Sequence, residues 1–141
     1  MKKARRILVG FKSPDDVVTL TDVACRIGAR NATLYLTHVI ELPDPTPLDA
    51  IVPELETTAR KILAAGERLA SKSGFKVTSK TLRAHDAGAA LLDEMKEKKA
   101  ELAVIGYHHR RSLGEFLLGT TAQHIARNAP CHLVCVIPPR K

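Results

Sequence analysis

A chain of 141 residues with 45% hydrophobic content fills one ordinary core and leaves no room for a second domain. No apolar run approaches the roughly 20 residues of a membrane helix, and the opening Met1 to Arg6 is not followed by the apolar segment of a signal peptide, so a soluble, cytoplasmic protein with no membrane partner is expected. The formal charge of +7 is uneven: residues 1–12 and 106–141 hold ten Lys and Arg against the single acid Glu115, whereas the remainder holds twelve against fourteen. Such basic termini attract polyanions, whether nucleotides, nucleic acid or acidic proteins, or simply keep the surface solvated.

Arg6 to Phe11 is an apolar, β-rich run with almost no alternation, as in a strand buried on both faces of a parallel sheet. Ser13-Pro14 then marks a helix entry, and Val17, Leu20, Ala24 and Ile27 recur on one helical face up to Gly28. Thr33 to Ile40 reads as a second strand. Glu41 to Pro53 contains Pro43, Pro45, Pro47 and Pro53 and forms the longest irregular connection, a lid or a spacer. From Glu54 the helical period returns, with Leu55, Ala59, Ile62, Gly66 and Leu69 on one side and Gly74 placed to close the helix.

Lys76 to Leu82 alternates and predicts a more exposed third strand near an edge. Asp86 can cap a helix through Ala87, Leu91, Leu92 and Met95 that ends at Glu97-Lys-Lys. Leu102 to Ile105 predicts a fourth strand, a further helix is stopped by Pro130, and Leu133 to Ile137 predicts a last strand closed by Pro138-Pro139. Strands alternating with helices point to an α/β fold, a parallel sheet with helices on both faces. Cys25, Cys131 and Cys135 show no zinc-type spacing. They read as reduced packing residues, and about 13 Å of strand rise keeps Cys131 and Cys135 from pairing with each other.

The stretch with chemical character follows the fourth strand. Gly106 ends the apolar run, a polar and basic loop with His108, His109, Arg110 and Arg111 follows, and Gly119-Thr120-Thr121 opens the next helix. Glycine leaves backbone N–H groups uncovered, and a helix start offers unpaired donors and a partial positive charge, a combination that captures anions. Open beside this stands a solvated basic loop with no ligand role.

The spacing resembles the nucleotide-binding signature of the universal stress protein family: glycine, two residues, glycine, nine residues, then glycine and a hydroxyl residue. Gly106, Gly119 and Thr120 match, and Leu117-Leu-Gly-Thr and Asn128-Ala-Pro-Cys131 are similar to the family's wording around its last helix. The resemblance runs from Ile7 to Ile137 and implies a single-domain open five-stranded parallel sheet of order 3-2-1-4-5. It implies a stress-response regulatory protein with ATP or ADP as ligand, Mg2+ as an optional companion, and a crevice between strands 1 and 4. The candidate binding residues are Gly10, Phe11 and Lys12 after strand 1, Val39 with its neighbours His38 and Ile40 for the adenine, and Gly106, Tyr107, His109, Arg110, Gly119, Thr120 and Thr121 for the phosphates. Homodimerisation through Leu133, Val134, Cys135, Val136 and Ile137 is also implied, since an apolar edge strand pairs readily with another chain.

Three positions depart from that pattern. Lys12 stands where binding members carry an aspartate that grips the ribose, His85 where a glycine precedes the third helix, and His109 where the middle loop glycine belongs. An ammonium has three donors and no acceptor, so Lys12 by itself predicts poor ribose discrimination with strong phosphate dependence. No nucleophile and base pair can be argued, so the expected role is binding, with slow ATP hydrolysis as the upper limit. The alternatives are a dimeric interaction protein without nucleotide, and a nucleic-acid binder that is only nonspecific, because Tyr35, Tyr107 and three Phe supply few stacking platforms.

Overall fold

Ile7, Leu8 and Val9 have no solvent exposure, because the strand that carries them lies at the centre of a sheet covered on both sides. The computed structural model describes residues 3–106 and 120–139. In chain order these form β1 (Ala4–Phe11), a 3-10 turn (Pro14–Asp16), α1 (Val17–Ile27), β2 (Gly28–Glu41), α2 (Pro53–Lys72), β3 (Lys76–Ala84), α3 (Ala87–Glu97), β4 (Leu102–Gly106), α4 (Thr120–Asn128) and β5 (His132–Val136). The five strands form one sheet of order β3-β2-β1-β4-β5, and every neighbouring pair is parallel. The expected fold is therefore the observed one.

Alternation along the strands divides the core in two. Ile7, Val9, Phe11, Leu34, Leu36 and Val104 pack against Val17, Leu20 and Ala24 of α1 and Ile62, Leu63 and Ala70 of α2. Leu8, Ala103 and Ile105 face the other way, onto Leu91, Leu92 and Met95 of α3 and Ala122 and Ile125 of α4. Each fully buried aliphatic side chain contributes about 1.5–3 kcal/mol. Gly66 brings α2 close to the sheet, since a Cβ there would stand 3.0 Å from both Leu36 and Phe11.

Local signals act as expected at several ends. Gly74 takes φ +85°, the left-handed conformation that closes α2, and the Asp86 side chain accepts from Ala89 N–H at 3.1 Å. Other boundaries differ. β2 begins at Gly28 rather than Thr33, because Gly28 already pairs with Ala4 ahead of an irregularity before Arg6. Leu55 is 39% exposed and Leu63 and Ala70 complete the buried face of α2. The 20 residues of α2 span about 30 Å, and in its first turn Glu56 pairs with Arg83 of β3. β5 runs from His132 to Val136, so Cys131 precedes it and Ile137, 42% exposed, follows it.

The connection between β2 and α2 is anchored rather than loose. Leu42 is buried with Ile40 and Ala59, its N–H donates to Ala84 O at 2.8 Å, and Arg83 reaches both Ala50 O and the Glu56 carboxylate.

Candidate functional site

At β1 the chain crosses towards β2, and at β4 it crosses the opposite way towards β5. Sheets of this kind bind ligands where the direction reverses, outside the carboxyl ends of the strands. Gly10 pairs with Ile105, so Phe11 and Gly106 are the neighbouring strand ends at that point.

Phe11 is buried, and its carbonyl accepts from Nδ1 of the buried His38 at 2.9 Å; because a carbonyl only accepts, Nδ1 carries the proton. This bond ties the end of β1 to the end of β2 and gives His38 a structural partner. Gly10 lies beneath α3, where a Cβ would meet Leu91 at 3.4 Å. Val39 is half-buried against the core under α3 and α4. Lys12 is exposed and its backbone N–H donates to Asp16 Oδ2 at 3.1 Å, as does that of Ser13 at 3.3 Å. Oδ1 of the same carboxylate lies 3.3 Å from the place a Cβ on Gly106 would take. Glycine thus lets a carboxylate from the turn after β1 rest against the end of β4, a contact that a larger side chain would displace.

The sequence places Lys12 at the ribose position of the crevice, with Asp15 or Asp16 as the acids that restore the contact if the loop folds back; in the structure it is Asp16 that lies at Gly106. The signal for Asp16 was present: acid three residues after Ser13 is half of a capping box, in which the side chain turns back onto the preceding N–H groups. A second wall is formed by Glu41, whose Oε2 accepts from Ala87 N–H at 2.7 Å, and by His85, whose Nδ1 lies 3.0 Å from Leu42 O. Glu41 and Asp86 together occupy N–H groups in the first turn of α3, so they compete with any anion for that helix end. Thr120 and Thr121 open α4, and Thr121 is half-buried. Tyr107, His109, Arg110 and Gly119 lie outside the described residues, as do His108 and Arg111.

Among the described residues no three His, Cys, Asp or Glu side chains are grouped to hold a metal ion, and no helix is long and apolar enough to cross a membrane. Cys25, Cys131 and Cys135 are free thiols. Burial pushes all three up from the ordinary thiol range; at Cys25 a hydrogen bond with Ser73 partly opposes it and the Asp22 charge adds to it.

A parallel sheet wound in both directions, with glycine and a carboxylate meeting at its reversal point, defines an α/β protein of the class that receives ligands at strand ends. Residues 3–136 match Usp, the universal stress protein family, and the chain belongs to that family. It is 32% identical over 138 residues to a universal stress protein of Mycolicibacterium smegmatis, spanning 94% of this chain but 45% of that protein. It is 26% identical over 117 residues to universal stress protein MJ0531 of Methanocaldococcus jannaschii, spanning 79% of this chain and 68% of that one.

Among solved structures the fold is shared with the hypothetical protein MJ0577, with TM-score 0.80, 13% identity and coverage of 99% and 100% of the two chains. It is shared with a universal stress protein in complex with cAMP, with TM-score 0.72, 21% identity and coverage of 96% and 98%. The universal stress protein of Archaeoglobus fulgidus in complex with dAMP has TM-score 0.70, 19% identity and coverage of 95% and 98%.

Proposed function

We propose that this chain is a regulatory module that binds ATP or ADP in the crevice between β1 and β4. Adenine lies against the ends of β1 and β2 at Phe11 and His38 to Ile40, and the phosphates lie on the segment from Gly106 to Thr121, where Mg2+ can accompany them. The observation that carries the reading is the meeting of Gly106 and the Asp16 carboxylate at the reversal point of the sheet. It sets a backbone position without a side chain and a carboxylate side by side at the end of β4. The first turn of α3 already binds Glu41 and Asp86, which favours the start of α4 for phosphate, because a helix N-terminus attracts anions only through donors still available. The cAMP and dAMP complexes of fold relatives support an adenine nucleotide as the class of ligand.

A second part of the reading is a homodimer through β5. This strand closes one side of the sheet with half-buried Leu133, Val134, Cys135 and Val136, and strand edges of this kind pair with another chain. The test of the nucleotide reading is mass spectrometry of the protein purified without added ligand, followed by calorimetric titration with ATP. Binding is expected in the native protein and at least a tenfold loss in Gly119→Val, whose side chain would take the phosphate's place. Equal affinity in the two proteins would overturn the site.

A further inference from the structure

α3 ends at Glu97, and the sheet beyond it, towards the starts of β1, β2 and β3, keeps an uncovered face. Lys80 contacts Glu94 of α3 at 3.4 Å, which puts Lys80 on the α3 side of the sheet; alternation places Thr78 and Lys76 there as well. On β2 the α3 side carries Tyr35 and Thr33, which pair with Thr78 and Lys76. On β1 it carries Arg6, which pairs with Thr33. Tyr35 is half-exposed and Lys76, Thr78 and Arg6 are exposed. The Arg6 guanidinium lies 5.1 Å from the Tyr35 ring centre, held there by its Nε donating to Lys98 O at 2.8 Å, and Lys98 Nζ lies 6.0 Å from the same ring.

We propose that this open end of the sheet binds single-stranded nucleic acid without base preference. Arg6 and Lys98 stand over one aromatic ring and Lys76 is exposed on the neighbouring strand, while Glu94 is engaged by Lys80 and Glu101 by the backbone N–H groups of Arg5 and Arg6. Cations attract the phosphates, and a base that is free of its own helix stacks on an aromatic ring or a guanidinium plane. Thr33 and Thr78 add hydroxyls that hydrogen-bond phosphate or sugar. A duplex keeps its bases stacked inside and cannot use the Arg6 and Tyr35 pair, and the carboxylate side chains of an acidic peptide offer no ring to stack. The surface lies at the opposite end of the strands from the nucleotide crevice, so it stands independently of that reading.

The test is fluorescence anisotropy with a labelled oligouridine of about 12 nucleotides, within the roughly 4–16 that compact single-strand-binding folds occupy, at about 0.15 M salt. Tyr35→Leu is expected to weaken binding about fivefold or more while Tyr35→Phe stays within about twofold. Lys76→Ala is expected to reduce the slope of log affinity against log salt by about 0.7. If Tyr35→Leu lowers the urea midpoint, Arg6→Gln, altered at an exposed side chain, carries the same expectation. The same sequence as a duplex should bind more weakly, and excess ATP should not displace the strand. Unchanged affinity in both Tyr35→Leu and Arg6→Gln overturns the proposal, as does displacement by ATP, or by polyglutamate as effectively as by unlabelled strand.

Discussion

Asp16 holds the backbone N–H of Lys12 at 3.1 Å, so the carboxylate, and not the ammonium four residues before it, turns inward to Gly106. Lys12 considered alone predicts poor ribose discrimination; in the proposed site the Asp16 carboxylate, from a different chain position, is the group that faces the ribose. A hydrogen bond to a charged group is worth about 1.5–3 kcal/mol, so native protein is expected to bind ATP about tenfold or more tightly than 2′-deoxy-ATP. Asp16→Asn should shrink that preference while keeping the turn, because the amide oxygen still accepts from Lys12. Adenosine should bind far more weakly than ATP to both. Calorimetry with the three ligands decides, and a native protein indifferent to the 2′-hydroxyl refutes the role of Asp16.

The proposed dimer makes a separate prediction about β5. Val136 is half-buried and packs against the α1 and α2 core, so Val136→Lys would disturb both the edge and the interior. Ile137→Lys, at a side chain 42% exposed just beyond the strand, places a charge at the edge and leaves the core intact. Light scattering at micromolar concentration should give a dimer for the native chain and a monomer for both variants. A native monomer, or two variants that remain dimeric, would remove β5 as the interface.

Thr21 is 2% exposed in α1, and among the described residues its Oγ1 is the buried side-chain polar atom without a hydrogen-bond partner. Burying a hydroxyl without a partner costs about 1–3 kcal/mol in proteins, and valine has nearly the same shape without the polar atom. Thr21→Val is expected to raise stability by about 1 kcal/mol, measured as a higher urea midpoint at unchanged slope. A lower midpoint would mean that the hydroxyl has a partner in solution.

The thiols predict a pH dependence. Burial raises the pKa of Cys25, Cys131 and Cys135 in the folded chain, whereas unfolded thiols ionise near pH ~8.5. The unfolded state therefore loses these protons first, and their contribution to stability is intact below about pH 8.5 and lost as pH rises through the folded values. Native protein should lose more stability between about pH 8 and 10 than a Cys25→Ala, Cys131→Ala, Cys135→Ala triple variant. Alkylation by iodoacetamide should be slow at neutral pH and rapid after unfolding. Parallel stability curves for the two proteins would contradict the shift.

Much of the fold is written in short stretches of the chain. The Ile7 to Val9 run can be satisfied only by burial on both faces, and β1 is indeed central. Gly74 after α2 and Asp86 before α3 act through backbone geometry and donors within three residues, so their roles follow from local chemistry. The order of the strands came from family resemblance together with the handedness of crossovers.

Tertiary structure alone decided which polar groups meet. Asp16 and Gly106 are 90 positions apart in the sequence and become neighbours only because β1 and β4 pair. His38 finds Phe11 O through the register of β1 and β2. Leu55 and Leu63 both suit a helical period, and packing against the sheet leaves the first 39% exposed and buries the second. Tyr35 stays half-exposed beside Arg6 and Lys98 through strand register and the end of α3. Periodicity and capping act over a few residues and are legible in sequence, whereas such contacts depend on the summed geometry of sheet register and crossovers, which no short stretch contains.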